Sequence, residues 1–515
     1  MSGVDRRSLI GGMLGASAAL AAPSILHAAP RAPRRWTGTV ERGVHAFRGI
    51  RYGTAQRFMA PRPYLPAGVE AATGFGPSAP QSGGRYKPTS EDCLFLNVWS
   101  AEPDSRALKP VMLYIHGGAY SGGSVADPLN DGHALASRGD TVVVTVNHRL
   151  NAFGYLYLAR LDPRFPDSGN AGQLDLILAL RWVRENIASF GGDPDQVMVF
   201  GQSGGGAKIA TLMGTPAAKG LFHRAATMSG QQVTASGPMN ATARTRAYLA
   251  KLGVKEGDLS PLLSMPVERL VEGLSASDPV LGGGVYFGPV LDMKWLTRHP
   301  FWPDANPQGN AIPMMLGNTH QETGGFLAPD SARLRGLSWD NLAERIAPEL
   351  RIDILPEWVV AQYRAKFPDW TPTQVFYDST TAGRSWRGQV IEAEERAKAG
   401  VPAWVYQVDY ASRVDPRRGA FHTMDIALVF GTLDREGSET GTGADARAAS
   451  KAMQDSFVAF AQRGDPNHAG LPRWPRYDLK TRATMLFDVS SRVENDPRRW
   501  QRELFARVPY IQPGT

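Results

Sequence analysis

The amino-acid sequence predicts a doubly wound α/β protein built on a mostly parallel sheet, and three observations carry that expectation. Short apolar runs recur along the chain: VMLYI (111–115), TVVVTVN (141–147) and QVMVF (196–200). Each is rich in β-branched or large apolar residues and runs into a glycine- or asparagine-bearing turn, as buried parallel strands do. Between the last two runs, LDLILALRWVRENIASF (174–190) spaces its apolar residues as a helix would. Downstream, AIPMMLG (311–317) and PAWVYQVDY (402–410) add further strand-like segments, continuing the alternation of a single sheet.

Residues around 231–310 and 330–400 mix helical and loop patterns, with proline and tryptophan scattered through them. No low-complexity linker sets them apart, so they read as excursions covering the active edge of the sheet within one domain, 30–515. No internal repeat is present. Hydrophobic residues at 43% and charged residues at 20% exclude wholesale disorder. The net charge of +7 is mild for 515 residues, and no Lys/Arg block exceeds two or three positions. Both argue against a nucleic-acid track. The single cysteine, Cys93, excludes an internal disulfide framework, a cysteine-based zinc site and a CxxC redox pair. None of the ten histidines sits in HExxH, so no metal site of that kind is expected.

Residues 1–29 read as an address. Arg6 and Arg7 precede an apolar stretch from Leu9 to Leu26, and the small residues Ala28 and Ala29 follow. This is the charged–apolar–small order of an export signal, and the adjacent arginines resemble a twin-arginine leader. The stretch is about long enough to cross a bilayer. Gly11, Gly12, Gly15 and Pro23 weaken it as a helix, so a retained anchor or a simple N-terminal helix are the lesser alternatives. The expectation is cleavage near Ala28–Ala29 and a periplasmic or secreted mature protein with no stable membrane span.

The sharpest local signal is FGQSGGGAKIA, Phe200 to Ala210. Gly201-Gln202-Ser203-Gly204-Gly205 fits G-x-S-x-G directly after the strand QVMVF and before the helical run AKIATLMG. A serine presented on a tight strand-to-helix turn needs neighbours without side chains, because the backbone is strained and a substrate must approach closely. A phosphate loop is the rival, since Gly201 and Gly206 have its spacing. It fails because Ala207 stands where lysine is required and Ile209 follows Lys208 in place of Ser or Thr. Upstream, YIHGGAYSGG (Tyr114 to Gly123) follows a predicted strand. Paired glycines after a histidine leave backbone N–H groups free to converge on a developing oxyanion.

Several blocks, in order, make the chain resemble the type-B carboxylesterase and cholinesterase-like family of α/β-hydrolases. They include GTVERGVHAFRGIRYG (38–53), EDCLFLNVWS (91–100), VNHRLNAFGY (146–155) and the long block 169–205 that ends in the serine motif. LFHRAATMSG (221–230), FGPVLD (287–292) and GAFHTMDIALVFGT (419–432) follow. The likeness covers nearly all of residues 36–490. Two departures stand out. Gln202 replaces the family's usual glutamate, and Cys93, which in the family commonly bonds an upstream cysteine, has no partner.

The resemblance implies hydrolysis of a small-molecule ester by a Ser-Glu-His triad, with no cofactor. Ser203 would be the nucleophile. Five histidines lie downstream of it, His223, His299, His320, His422 and His468, and the residues alone do not choose among them. The family block selects His422, and Glu322 in LGNTHQETGGF falls at the family's acid position. Asp409, which also ends a predicted strand ahead of His422, is the rival acid. Gly118, Ala119 and Gly204 would form the oxyanion hole, and Ser229 matches a serine that supports the triad. A noncatalytic binding domain of the same family, or an amide or carbamate hydrolase on the same triad, are the alternatives.

Choline-specific relatives place an aromatic platform in the loop ahead of EDCL. Here that loop, QSGGRYKPTS (Gln81 to Ser90), has no tryptophan, only Tyr86, and contributes Arg85 and Lys87. Together with Gln202 this makes the approach to Ser203 less negative; if Arg85 and Lys87 point into solvent instead, only the missing tryptophan matters. Neutral or carboxylate-bearing esters are therefore expected over choline esters.

Overall fold

An eleven-stranded sheet organises the structure, a computed structural model that describes residues 33–514. The expected leader, 1–29, lies outside the described residues. In chain order the strands are β1 (Thr39–Glu41), β2 (Val44–Arg51), β3 (Phe95–Ser100), β4 (Lys109–Ile115), β5 (Val142–Val146), β6 (Gly192–Gln202), β7 (Arg224–Met228), β8 (Met314–Thr319), β9 (Ala403–Val408), β10 (Ala483–Phe487) and β11 (Arg492–Asn495). They lie side by side as β11-β10-β9-β8-β7-β6-β4-β5-β3-β2-β1. Strands β4 to β10 run parallel. The edges are antiparallel, with β1 to β3 at one side and β11 at the other.

The apolar runs form the inner strands because both faces of the sheet are covered. Alternate residues of a strand point to opposite faces. On one face Leu113, Val144 and Val199 pack against Ile177, Leu180 and Val183 of helix α1 (Ala171–Asn186) and against Ile209 and Leu212 of α2 (Gly204–Met213). On the other face Tyr114, Val143 and Phe200 join a second core with residues from near the end of the chain.

The boundaries shift for local reasons. The segment 311–317 becomes strand only from Met314, because Pro313 has no N–H for the ladder. Helix α1 begins before the periodic run at 174, and Ile187–Phe190 tightens into a 3-10 turn that Gly191, at φ 84°, terminates.

Two excursions leave the sheet. Between β7 and β8 come α3 (Pro238–Leu252) and α4 (Val267–Gly273), whose Tyr248, Leu249 and Leu270 share an apolar cluster with Tyr120, Phe153 and Ala207. Between β8 and β9 come α5 (Pro356–Lys366), α6 (Pro372–Ala382) and α7 (Ser385–Lys398). Val359, Val360, Phe376 and Trp386 of these helices form a separate cluster with Leu504 and Phe505. After β9, α8 (Met424–Phe430) and α9 (Ala444–Arg463) supply Leu428, Met453 and Phe457 to the second core. Cys93 is fully buried and unpaired. Among the described residues no helix is long and apolar enough to cross a membrane.

Candidate active site

Strand β6 ends at Gln202 and α2 begins at Gly204. Ser203, between them, has φ 54° and ψ −123°, a backbone conformation that L-residues rarely adopt. The turn is fixed from both sides: Ser203 N donates to the Met228 carbonyl at 2.7 Å, and Ala207 N to the Ser203 carbonyl at 3.1 Å. Two glycines are obligatory. A Cβ on Gly205 would lie 1.9 Å from the Ile115 carbonyl oxygen, and one on Gly204 2.1 Å from that of Ala119. The elbow therefore presses against the loop after β4, which holds Gly118 at φ 87° and Ala119 at φ 53°. The N–H groups of Gly118, Ala119 and Gly204 have no acceptor among the described residues.

Strand β8 leads to a buried carboxylate. Glu322, 1% exposed, starts the 3-10 turn just beyond Thr319. One carboxylate oxygen accepts from Ser229 Oγ at 2.6 Å, Thr319 N at 2.7 Å and Asn318 Nδ2 at 3.0 Å. The other meets His422 Nδ1 in a short contact. Burial works to raise its pKa, but the charge and hydrogen bond of His422, with those of Ser229 and Thr319, hold the carboxyl below its ordinary value. His422 is 4% exposed and sits just ahead of α8, with the Phe326 ring 4.6 Å from its own. Its Nε2 lies 3.2 Å from Gln202 Nε2.

Ser203, His422, Gly118, Ala119, Gly204 and Ser229 line one cavity of about 520 Å³, with Glu322 held against His422. The rival residues are engaged elsewhere. Asp409 pairs with His320 Nδ1 at 3.1 Å and accepts from Gln407 at 2.7 Å. Ring nitrogens of His223 and His299 accept from Val197 N and Ala235 N, and His468 contacts Ser456. Arg85 pairs with Asp127 at 2.9 Å, and neither it nor Lys87 lines the cavity.

The structure adds groups that the sequence reading missed. Lys208, fully buried on α2, donates to the Ala119 carbonyl at 2.7 Å, and burial lowers its pKa to about 7. The motif registered this lysine only as a mismatch to a phosphate loop, and no spacing rule points a helix lysine inward. Asn318 and Thr319 brace the Glu322 carboxylate from the end of β8. The cavity is also lined by Tyr286, Arg351, Arg384 and Tyr510, drawn from the excursions and the last residues of the chain.

A strained serine on a strand–helix elbow, backed by a buried carboxylate–imidazole pair in a parallel sheet, defines the α/β-hydrolase class. Residues 34–505 match the carboxylesterase family. Para-nitrobenzyl esterase of Bacillus subtilis is 35% identical over 494 residues, 90% of this chain and 96% of its own. Phenmedipham hydrolase of Pseudarthrobacter oxydans is 30% identical, covering 89% of this chain and 94% of its own. The crystal structure of the Geobacillus stearothermophilus carboxylesterase EST55 superposes with a TM-score of 0.82 at 36% identity, over 92% of this chain and 99% of that one. The chain belongs to the carboxylesterase family and is a carboxylic ester hydrolase of the α/β-hydrolase fold.

Proposed function

We propose that the chain hydrolyses small-molecule esters through a Ser203–His422–Glu322 triad in a single domain from residue 30 onward, and that residues 1–29 direct its export. The observation that carries this reading is the Glu322–His422 contact lying against the cavity that Ser203 lines. His422 takes the proton from Ser203 Oγ as the oxygen attacks the ester carbonyl. Glu322 holds the imidazole in the tautomer with Nδ1–H and offsets the charge that develops on the ring. The N–H groups of Gly118, Ala119 and Gly204 receive the oxyanion, and each such donor is worth about 10²–10³ in rate. His422 returns the proton to the departing alcohol, then activates the water that releases the acid. Ser229 keeps Glu322 oriented. No step calls for a cofactor.

Neutral or carboxylate-bearing esters are the favoured substrates, and choline esters are disfavoured. Gln202 supplies no negative charge beside the nucleophile, the Gln81–Ser90 loop has no tryptophan, and the cavity wall carries two arginines. A fluorophosphonate probe tests the chemistry: labelling that disappears in Ser203→Ala is expected, whereas a folded protein that takes no label is a noncatalytic binding domain. For the preference, kcat/KM is compared between butyrylcholine and its uncharged isostere. A clear lead for the choline ester overturns it. Export is tested by cell fractionation and N-terminal sequencing of the full chain, with a cut near Ala28–Ala29 expected.

A further inference from the structure

Arg351 and Arg384 share the cavity wall with the triad, and the charges around them do not balance. Arg384 Nη1 reaches Glu349 at 3.1 Å, but the other oxygen of that carboxylate already holds Arg333 at 2.8 Å. One carboxylate thus serves two guanidinium groups. Arg351 has no carboxylate at salt-bridge distance among the described residues, and its buried Nε lacks a hydrogen-bond partner. Its backbone is nonetheless held firmly: Arg351 N donates to the Gly383 carbonyl at 2.9 Å, and Ile511 N to the Arg351 carbonyl at 2.8 Å. Arg351 is stitched between the turn that presents Arg384 and the segment that presents Tyr510 and Gln512 to the same cavity.

Arg384 is also close to the chemistry. Its guanidinium stacks 4.4 Å over the Phe326 ring, which itself lies 4.6 Å from the His422 ring. Only 22% of the Arg384 side chain is exposed, and burial pulls its pKa below the ordinary value, with Glu349 working against the fall. Arginine stays charged regardless, so two cationic forks remain in a partly dry wall. Each presents several N–H donors in a plane that suits a carboxylate.

Resting on the esterase reading above, we infer that Arg351 and Arg384 form an anion subsite that binds a free carboxylate of the substrate while Ser203 attacks its ester carbonyl. The substrate class is the half-ester of a dicarboxylic acid, or an ester whose alcohol part bears a carboxylate. The anion completes the charge balance that Glu349 leaves unfinished. Quaternary ammonium groups are repelled from the same wall.

The experiment compares kcat/KM for half-esters of succinate, glutarate and adipate with uncharged isosteres of matched length, in the full-length enzyme and in Arg351→Gln, Arg351→Lys and Arg384→Gln. The best half-ester is expected to lead its isostere in wild type. That lead should shrink by about ten- to hundredfold in Arg351→Gln, as for loss of a charged hydrogen bond, and should partly return in Arg351→Lys. The free dicarboxylate of that length should inhibit competitively, and less so in the glutamine variants. Arg351 carries the argument if Arg384→Gln, which also releases Glu349, fails to fold. Wild type that hydrolyses the uncharged esters in a Ser203-dependent way without any lead for a half-ester overturns the anion subsite alone. So does a lead that survives both glutamine changes. Wild type that turns over neither ester and takes no fluorophosphonate overturns the esterase reading itself.

Discussion

Gln202 Nε2 donates to His422 Nε2 across 3.2 Å, on the ring nitrogen opposite the one that contacts Glu322. The nitrogen proposed to take the Ser203 proton is therefore already solvated by a neutral amide. Gln202→Glu exchanges that donor for a negative charge beside Ser203. The variant should raise the ratio of kcat/KM for a choline ester over its uncharged isostere by about fivefold, the worth of one screened charge at close range. An unchanged ratio would show that Gln202 has no part in excluding cations.

The proposed triad acts as one unit, so its members should not add. Ser203→Ala and His422→Ala are each expected to lower turnover by up to about 10⁶, and the double variant by no more. Glu322→Gln should be milder yet severe, while Asp409→Asn, whose partners are His320, Gln407 and Arg492, should be near neutral. A folded Asp409→Asn as slow as the serine variant reverses the choice of acid.

Ser229 supplies one of three donors to a single oxygen of Glu322. Ser229→Ala should cost about tenfold in kcat with little change in KM, since Thr319 N and Asn318 still hold the carboxylate. A rise in KM alone would place Ser229 in substrate binding instead.

Burial holds Lys208 at about 7, below its ordinary 10.5. Between those values the unfolded chain keeps a proton that the folded chain has released, so the lysine's penalty on stability is full below about pH 7 and fades as pH rises toward 10.5. Lys208→Met lacks this term. The urea midpoint of wild type relative to the variant should therefore climb between about pH 6 and about pH 10. A difference that is flat across that range would mean that the folded protein keeps the lysine charged.

The parts of the fold that could be read from sequence are those where burial repeats a pattern. VVVTV is buried at every position, and it could be read as an inner strand without further context. By contrast Arg492–Asn495, an edge strand with a charged, half-exposed pattern, looks like any surface loop until β10 is there to pair with it. The site divides in the same way. Ser203 announces itself because its glycines are required within a few residues, whereas Glu322 and His422 meet across 100 positions and were reached only through the family blocks. Arg351 and Arg384 had no local signal at all, because a cavity-facing arginine and a solvent-facing one are spelled alike. Arg85 and Lys87 illustrate the converse, being cations in the loop ahead of the EDCL block that do not line the cavity.

The groups proposed to break the ester follow the ends of β4, β6, β8 and β9, whereas Tyr286, Arg351 and Arg384 belong to chain inserted between strands. Mutation can therefore work on the two halves of the problem at different rates. A new wall grafted onto residues 342–398 would leave the elbow's interlocked glycines untouched, so the appetite of such an enzyme can drift toward new esters while its reaction stays the same. Changes at Gly204 or Gly205 have no such latitude, because the space for even one methyl group there is already occupied by a neighbouring carbonyl.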